Sequence, residues 1–299
     1  MTAITKLKEW LNVEKDRGFR HKHDNYPEHP IGVKYHSEYF RTHTGITETE
    51  EEDDTYIPFQ PSLVENKLRE ASITSRRELI TEGATASKPE KVTFDDGSSG
   101  IFKSKRSEKG IKRLRFEVKG DLYKKEAAAY ELSKLLGIKM VPPTITRKID
   151  GDVGSVQEFI EGATPGFIYN PEKLNTKQLR DAAFFDVLIG NTDRHSGNFL
   201  IKDDKIILID HGFAFPSVDS PEEFKSIFVR SLIWIQKEGY LDPDHTYKLE
   251  DMLLHANEYQ KHLSQFLSTK EIHGVFDRAG RMLENDSYRI SIGFRGSGF

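Results

Sequence analysis

Residues 190–212 read Gly190-Asn191-Thr192-Asp193-Arg194-His195-Ser196-Gly197-Asn198-Phe199-Leu200-Ile201-Lys202-Asp203-Asp204-Lys205-Ile206-Ile207-Leu208-Ile209-Asp210-His211-Gly212. Two apolar runs, 199–201 and 206–209, flank the polar stretch 202–205, which predicts a polar loop, a β-hairpin and a second polar loop. A hairpin folds back on itself, so Asn198 and Asp210, twelve residues apart, come to the same end. An amide oxygen beside a carboxylate is a donor pair for a hard, oxygen-seeking cation such as Mg2+.

The sequence before this stretch is β-rich. Segments 78–82, 92–94 and 100–104 read as strands, separated by a loop at 83–88 and a turn at 95–97. Over 122–136, Ala128, Leu132, Leu135 and Leu136 recur at helical spacing, with Gly137 as a stop signal. Strands follow at 141–147 and 153–160, joined through Asp150-Gly151. Beyond Gly162 the pattern turns helical: Thr176 precedes Leu179, Ala183, Val187 and Leu188 as a cap, and longer helical patterns occupy 222–238 and 246–268. The expected class is α+β, with a β-rich N-lobe at 76–161 and an α-helical C-lobe at 162–290. An accessory arm at 1–75 and a flexible tail at 291–299 flank the lobes. The arm has little apolar periodicity, with Pro27, Pro30, Pro58 and Pro61 and an acidic run of Glu48, Glu50, Glu51, Glu52, Asp53 and Asp54 that reads as solvated.

Composition removes several function classes. Forty-eight acidic against 44 basic residues give a net charge of -4, so no global basic field serves nucleic acid. With no cysteine there is no disulfide, thiolate nucleophile or cysteine-bound zinc, in keeping with a reducing, cytoplasmic setting. Charges interrupt residues 1–20, and no apolar run approaches the roughly 20 residues of a membrane-spanning helix. His21, His23, His29, His36 and His43 are irregularly spaced and read as exposed rather than zinc-binding.

Asp193 stands five residues before Asn198, the separation that protein-kinase catalytic loops use between the catalytic aspartate and the metal-binding asparagine. "GNTDRHSGNFLI" followed by "ILIDHGFAFP" resembles the phosphatidylinositol 3- and 4-kinase-like branch of the protein kinase superfamily. That branch includes HipA-like kinases, actin-fragmin kinase and type II phosphatidylinositol 4-kinases, and it writes His-Arg-Asp as Asp-Arg-His. The resemblance implies a two-lobed protein-kinase-like fold using ATP and Mg2+, with Asp193 as catalytic aspartate, His195 near the transferring phosphate, and Asn198 and Asp210 as metal ligands. Residues 97–103 are similar to the turn into the third strand of these kinases, which makes Lys103 the lysine on the α/β-phosphates. Lys105 would share its face in a regular strand, and Lys103 is preferred. Glu126 matches the helix glutamate that holds this lysine. Residues 157–162 fall at the interlobe hinge, where backbone groups of Glu158, Phe159 and Ile160 would meet adenine. The loop at 83–88 has one glycine rather than Gly-x-Gly-x-x-Gly, leaving Thr85 and Ser87 hydroxyls to hold the β-phosphate. Asp186 would pair an arginine or orient the loop, His211 replaces the usual phenylalanine, and Trp234 reads as helical core with Leu232 and Ile233.

The implied reaction is transfer of the ATP γ-phosphoryl group to a hydroxyl. Residues 213–224 contain Asp219, Glu222 and Glu223 but no lysine or arginine, which favours a protein Ser/Thr acceptor over an anionic phosphoinositide headgroup. Phosphoinositide phosphorylation, AMP transfer and a non-catalytic scaffold remain alternatives.

Overall fold

The computed structural model describes residues 61–79, 88–108, 111–113, 116–118, 121–168, 175–217, 225–235 and 239–288. Thr85, Ser87, the five N-terminal histidines, the acidic run, Asp219, Glu222, Glu223, the Trp234 side chain and the 291–299 tail lie outside that description. All the described elements belong to one unit, Ser62–Phe299.

The first helix, α1 (Leu63–Glu70), starts with a reciprocal cap: Ser62 Oγ accepts the Glu65 N–H at 3.1 Å and Glu65 Oε2 accepts the Ser62 N–H at 2.7 Å. Strands β1 (Ile73–Glu78), β2 (Pro89–Phe94) and β3 (Ser99–Ser104) form an antiparallel meander. A separate ribbon of β4 (Ile111–Arg113) and β5 (Phe116–Val118) precedes α2 (Leu122–Leu135). Strands β6 (Thr144–Ile149) and β7 (Asp152–Glu158) then complete a five-stranded sheet of order β1-β2-β3-β7-β6. Asp150 (φ 50°) and Gly151 (φ 84°) supply the two positive φ angles of their hairpin turn.

Alternation along these strands gives the sheet two distinct faces. Val92, Phe94, Phe102, Val156, Ile145 and Ile149 pack with Leu68 of α1 into a core on one face. Burying side chains of this size contributes roughly 1.5–3 kcal/mol each. The other face of β3 carries Ile101 and Lys103. At Gly154 a Cβ would stand 2.3 Å from the Lys103 carbonyl oxygen, so glycine permits β7 to lie close beside the Lys103 backbone.

The C-lobe begins with β8 (Thr164–Pro165) and α3 (Thr176–Ile189), followed by β9 (Phe199–Lys202) and β10 (Lys205–Leu208). The hairpin turns at Asp203 and Asp204, both at positive φ, and β8 adds to it as a third strand. Four helices complete the described lobe: α4 (Ile227–Arg230), α5 (Pro243–Leu254), α6 (Ala256–Leu263) and α7 (Thr269–Asn285).

Several boundaries differ from the sequence expectation. The first strand is Ile73–Glu78 rather than 78–82, and both α1 and half of this strand lie within 1–75, with α1 contributing Leu68 to the core. An eight-residue helix with a single fully buried leucine leaves little periodicity to read. Asn175 rather than Thr176 caps α3, its Oδ1 accepting the Lys177 and Gln178 N–H groups. β3 ends at Ser104, so Lys105 leaves the strand and pairs with Asp121 at 2.6 Å. The described part of 222–238 holds α4 and a π-turn at Ser231–Ile235, and the pattern over 246–268 breaks at His255 into α5 and α6.

Candidate active site

The helix that carries Glu126 begins without its own cap. Asp121 has φ 57° and makes no side-chain cap bond. Glu108 replaces it: Oε2 accepts the Leu122 N–H at 3.1 Å and Oε1 the Tyr123 N–H at 2.8 Å, satisfying two of the orphan donors of the first turn. Burial pushes this carboxyl up from its ordinary value. Nothing local in the sequence marks a cap fourteen residues away.

From this anchored helix Glu126 joins both lobes. Its Oε1 accepts from Lys103 Nζ at 2.5 Å and its Oε2 accepts the His211 backbone N–H at 2.9 Å. Lys103 Nζ also lies 2.9 Å from Asp210 Oδ1, so one ammonium bridges the strand β3, the helix α2 and the loop after β10. Burial alone would lower Lys103, but Asp210 and Glu126 more than offset it and hold the ammonium well above its ordinary value. Burial alone would raise Glu126, but Lys103 and then His211 hold it well below the usual carboxylate range. Stabilisation from such a depressed carboxylate is complete above its unfolded value of about 4.3 and is lost as pH falls toward the folded value. The urea midpoint should therefore drop as pH falls below about 4.3, with a shallower drop for Glu126→Gln. Identical slopes would remove Glu126 as a source of the acid sensitivity.

The 191–198 loop is organised by a buried hub. Asp186 on α3 is fully buried; it accepts from Arg194 Nε at 3.0 and 3.2 Å, from Asn191 Nδ2 at 3.3 Å and from Ser226 Oγ at 2.7 Å. Arg194 Nη1 then donates to the Asn198 carbonyl and, at 2.6 Å, to the Ile209 carbonyl, tying the two ends of the β9–β10 hairpin together. Of the two roles expected for Asp186, pairing an arginine is the one these contacts show directly. Ser226 was not foreseen, since it reaches Asp186 from forty residues away.

Around this hub, the Asp193 N–H donates to Asn191 Oδ1 and the Asp193 carbonyl accepts from Asn198 Nδ2, both at 2.9 Å. Because Nδ2 is spent on that carbonyl, Asn198 has Oδ1 left as an oxygen ligand. Asp210, at φ 58° and with its side chain 49% exposed, supplies the second oxygen donor. Among the described residues no cluster of three or more histidine, cysteine or acidic side chains could form a metal cage. An asparagine–aspartate pair of hard donors fits a cation that takes its remaining ligands from phosphate and water, as Mg2+ does. His195 is exposed, and its Nδ1 accepts the Gly197 N–H at 3.0 Å. His211 is fully buried, lies edge-on to Phe185, and is pushed down by desolvation, so it packs as a neutral ring where the resembling kinases place phenylalanine.

At the hinge, two of the three expected residues have spent their donors. The Glu158 N–H bonds the Pro143 carbonyl at 2.8 Å, and the Phe159 N–H bonds the Ser99 carbonyl at 3.1 Å. That leaves the Ile160 N–H as the remaining backbone donor of the three. Lys91 Nζ sits 3.7 Å above the Phe159 ring centroid, fixing the outer side of the hinge.

A family model, Phosphatidylinositol 3- and 4-kinase, matches residues 63–230, more than half of the chain. Phosphatidylinositol 4-kinase gamma 4 of Oryza sativa subsp. japonica is 31% identical over 119 residues, which are 36% of this chain and 20% of that protein. The match thus spans about a fifth of that relative's length. The crystal structure of the Golgi casein kinase with Mn/ADP bound superposes with a TM-score of 0.54 at 16% identity, covering 77% of this chain and 76% of that one. Hydra Fam20 with sugar gives 0.53 at 16% identity, covering 75% and 86%. At such identities the likeness is one of fold, and it makes this a kinase-like α+β architecture.

Proposed function

The chain belongs to the phosphatidylinositol 3- and 4-kinase family, and we propose that it transfers the γ-phosphoryl group of ATP, bound with Mg2+, to a hydroxyl group. The observation that carries this reading is the Lys103 ammonium held between Glu126 and Asp210, with the Ile209 carbonyl just before Asp210 tied through Arg194 to the loop that bears Asp193 and Asn198. Lys103 would contact the α/β-phosphates, and Asn198 and Asp210 would hold the metal. When bound, that metal neutralises charge on the β- and γ-phosphates. Asp193 would orient the acceptor hydroxyl and take its proton late, so that positioning supplies most of the acceleration.

For the acceptor, a protein Ser/Thr hydroxyl is the first reading, supported by the absence of lysine and arginine from residues 213–224. A phosphoinositide is the second, supported by the match to the rice phosphatidylinositol 4-kinase gamma 4. Incubation with γ-labelled ATP, a degenerate Ser/Thr peptide pool and phosphoinositide vesicles separates them. Label on peptide and none on lipid is expected; label on lipid alone would reverse the order.

A further inference from the structure

We propose that Gln157 reads the 6-position of the nucleotide base, accepting a hydrogen bond from the exocyclic amine of adenine and disfavouring 6-oxo purines. The inference rests on the nucleotide-binding reading above and adds a specificity-determining side chain to it.

Register places Gln157 on the cleft side of the sheet. It pairs with Ile101 of β3 and with Thr144 of β6, and directly paired residues share a face. Ile101 is two residues before Lys103, whose ammonium reaches Glu126 and Asp210, so this is the face that looks into the cleft. Gln157 immediately precedes Glu158, Phe159 and Ile160, where the base edge would lie.

A chain of hydrogen bonds fixes which end of the amide is presented. The Thr144 hydroxyl donates its one proton to the Pro142 carbonyl at 2.8 Å, so its oxygen can only accept from the side chain of Gln157. Gln157 accordingly offers Nε2 to Thr144 Oγ1 at 2.9 Å. Its Oε1 is then the remaining group, with no partner among the described residues, and it is not sealed from solvent. An amide held this way is a fixed acceptor on the cleft face of the sheet. Adenine has an amine donor to match it; a 6-oxo purine sets oxygen against oxygen, and unpaired buried polar groups are what give such sites discrimination.

The test is equilibrium binding of ADP and inosine diphosphate to the full chain and to Gln157→Met and Thr144→Val. Binding needs no turnover, and inosine differs from adenosine at the 6-position without adding a 2-amino group. The wild type should prefer ADP. Gln157→Met should shrink that preference by roughly tenfold, the share of one hydrogen bond, leaving what the hinge contributes. Thr144→Val, which frees the amide to turn, should shrink it in the same direction. A merely structural role would weaken both ligands equally, so an unchanged ADP-to-inosine diphosphate ratio in both variants overturns the inference alone. Failure of the wild type to bind either nucleotide overturns the inference together with the proposed function.

Discussion

Asp210→Asn should give a folded protein whose phosphoryl transfer is slower by at least about a hundredfold to a thousandfold, the usual cost of losing one preorganised electrostatic contact. Asparagine has nearly the same shape and tolerates positive φ as aspartate does, so the backbone at φ 58° need not move. Only the charge changes. That charge lies 2.9 Å from Lys103 Nζ and would be one of the two oxygen donors for the metal. The loss should fall on kcat, with the acceptor KM near its original value, because in the proposed reaction the carboxylate would face the phosphates rather than the acceptor. Turnover within a few-fold of wild type, in a variant with an unchanged melting transition, would remove Asp210 from the metal site.

The largest effect on stability should come from Asp186→Ala. The Asp186 and Arg194 side chains are both fully buried, so removing the carboxylate strands a guanidinium in a medium that cannot solvate it. Breaking such a pair from one side costs about 3–5 kcal/mol. The same change unties Asn191 and Ser226, and with them the loop that presents Asp193. Urea unfolding of Asp186→Ala should show this loss, while Asp186→Asn, which retains acceptor capacity, should lose less. A loss below about 1 kcal/mol, the range of exposed pairs, would mean the hub does not hold the loop.

What is local in the sequence can be read there, and what acts across the fold cannot. Asp193, Asn198 and Asp210 fall within one eighteen-residue stretch, and the hairpin between them is written in two apolar runs around Asp203-Asp204. Lys103 and Glu126 are legible only through the resemblance, since alternation alone puts Lys103 and Lys105 on one face. Residues that act across the fold leave no local trace: Glu108 caps a helix fourteen residues on, and Ser226 reaches Asp186 over forty. Lys105 shares the face of Lys103 only if the strand runs one residue past the end of β3; the turn at 105–107 takes it to Asp121 instead. The last helix shows a signal that was available, since Ser268 and Glu271 spell a capping box, and both reciprocal bonds are formed. The break between α5 and α6 at His255 has no such marker, neither glycine nor proline, and a single helix was the natural reading.

The most direct measurement of the central claim is transfer from γ-labelled and α-labelled ATP in parallel, with Mg2+, by the wild type and by Asp193→Asn. Phosphoryl transfer predicts acceptor labelling from the γ-label only, falling about a hundredfold or more in Asp193→Asn, as expected when a positioned proton acceptor is removed. Labelling from the α-position would make the reaction nucleotidyl transfer, and nucleotide binding without transfer of either label would make the chain a non-catalytic member of its family.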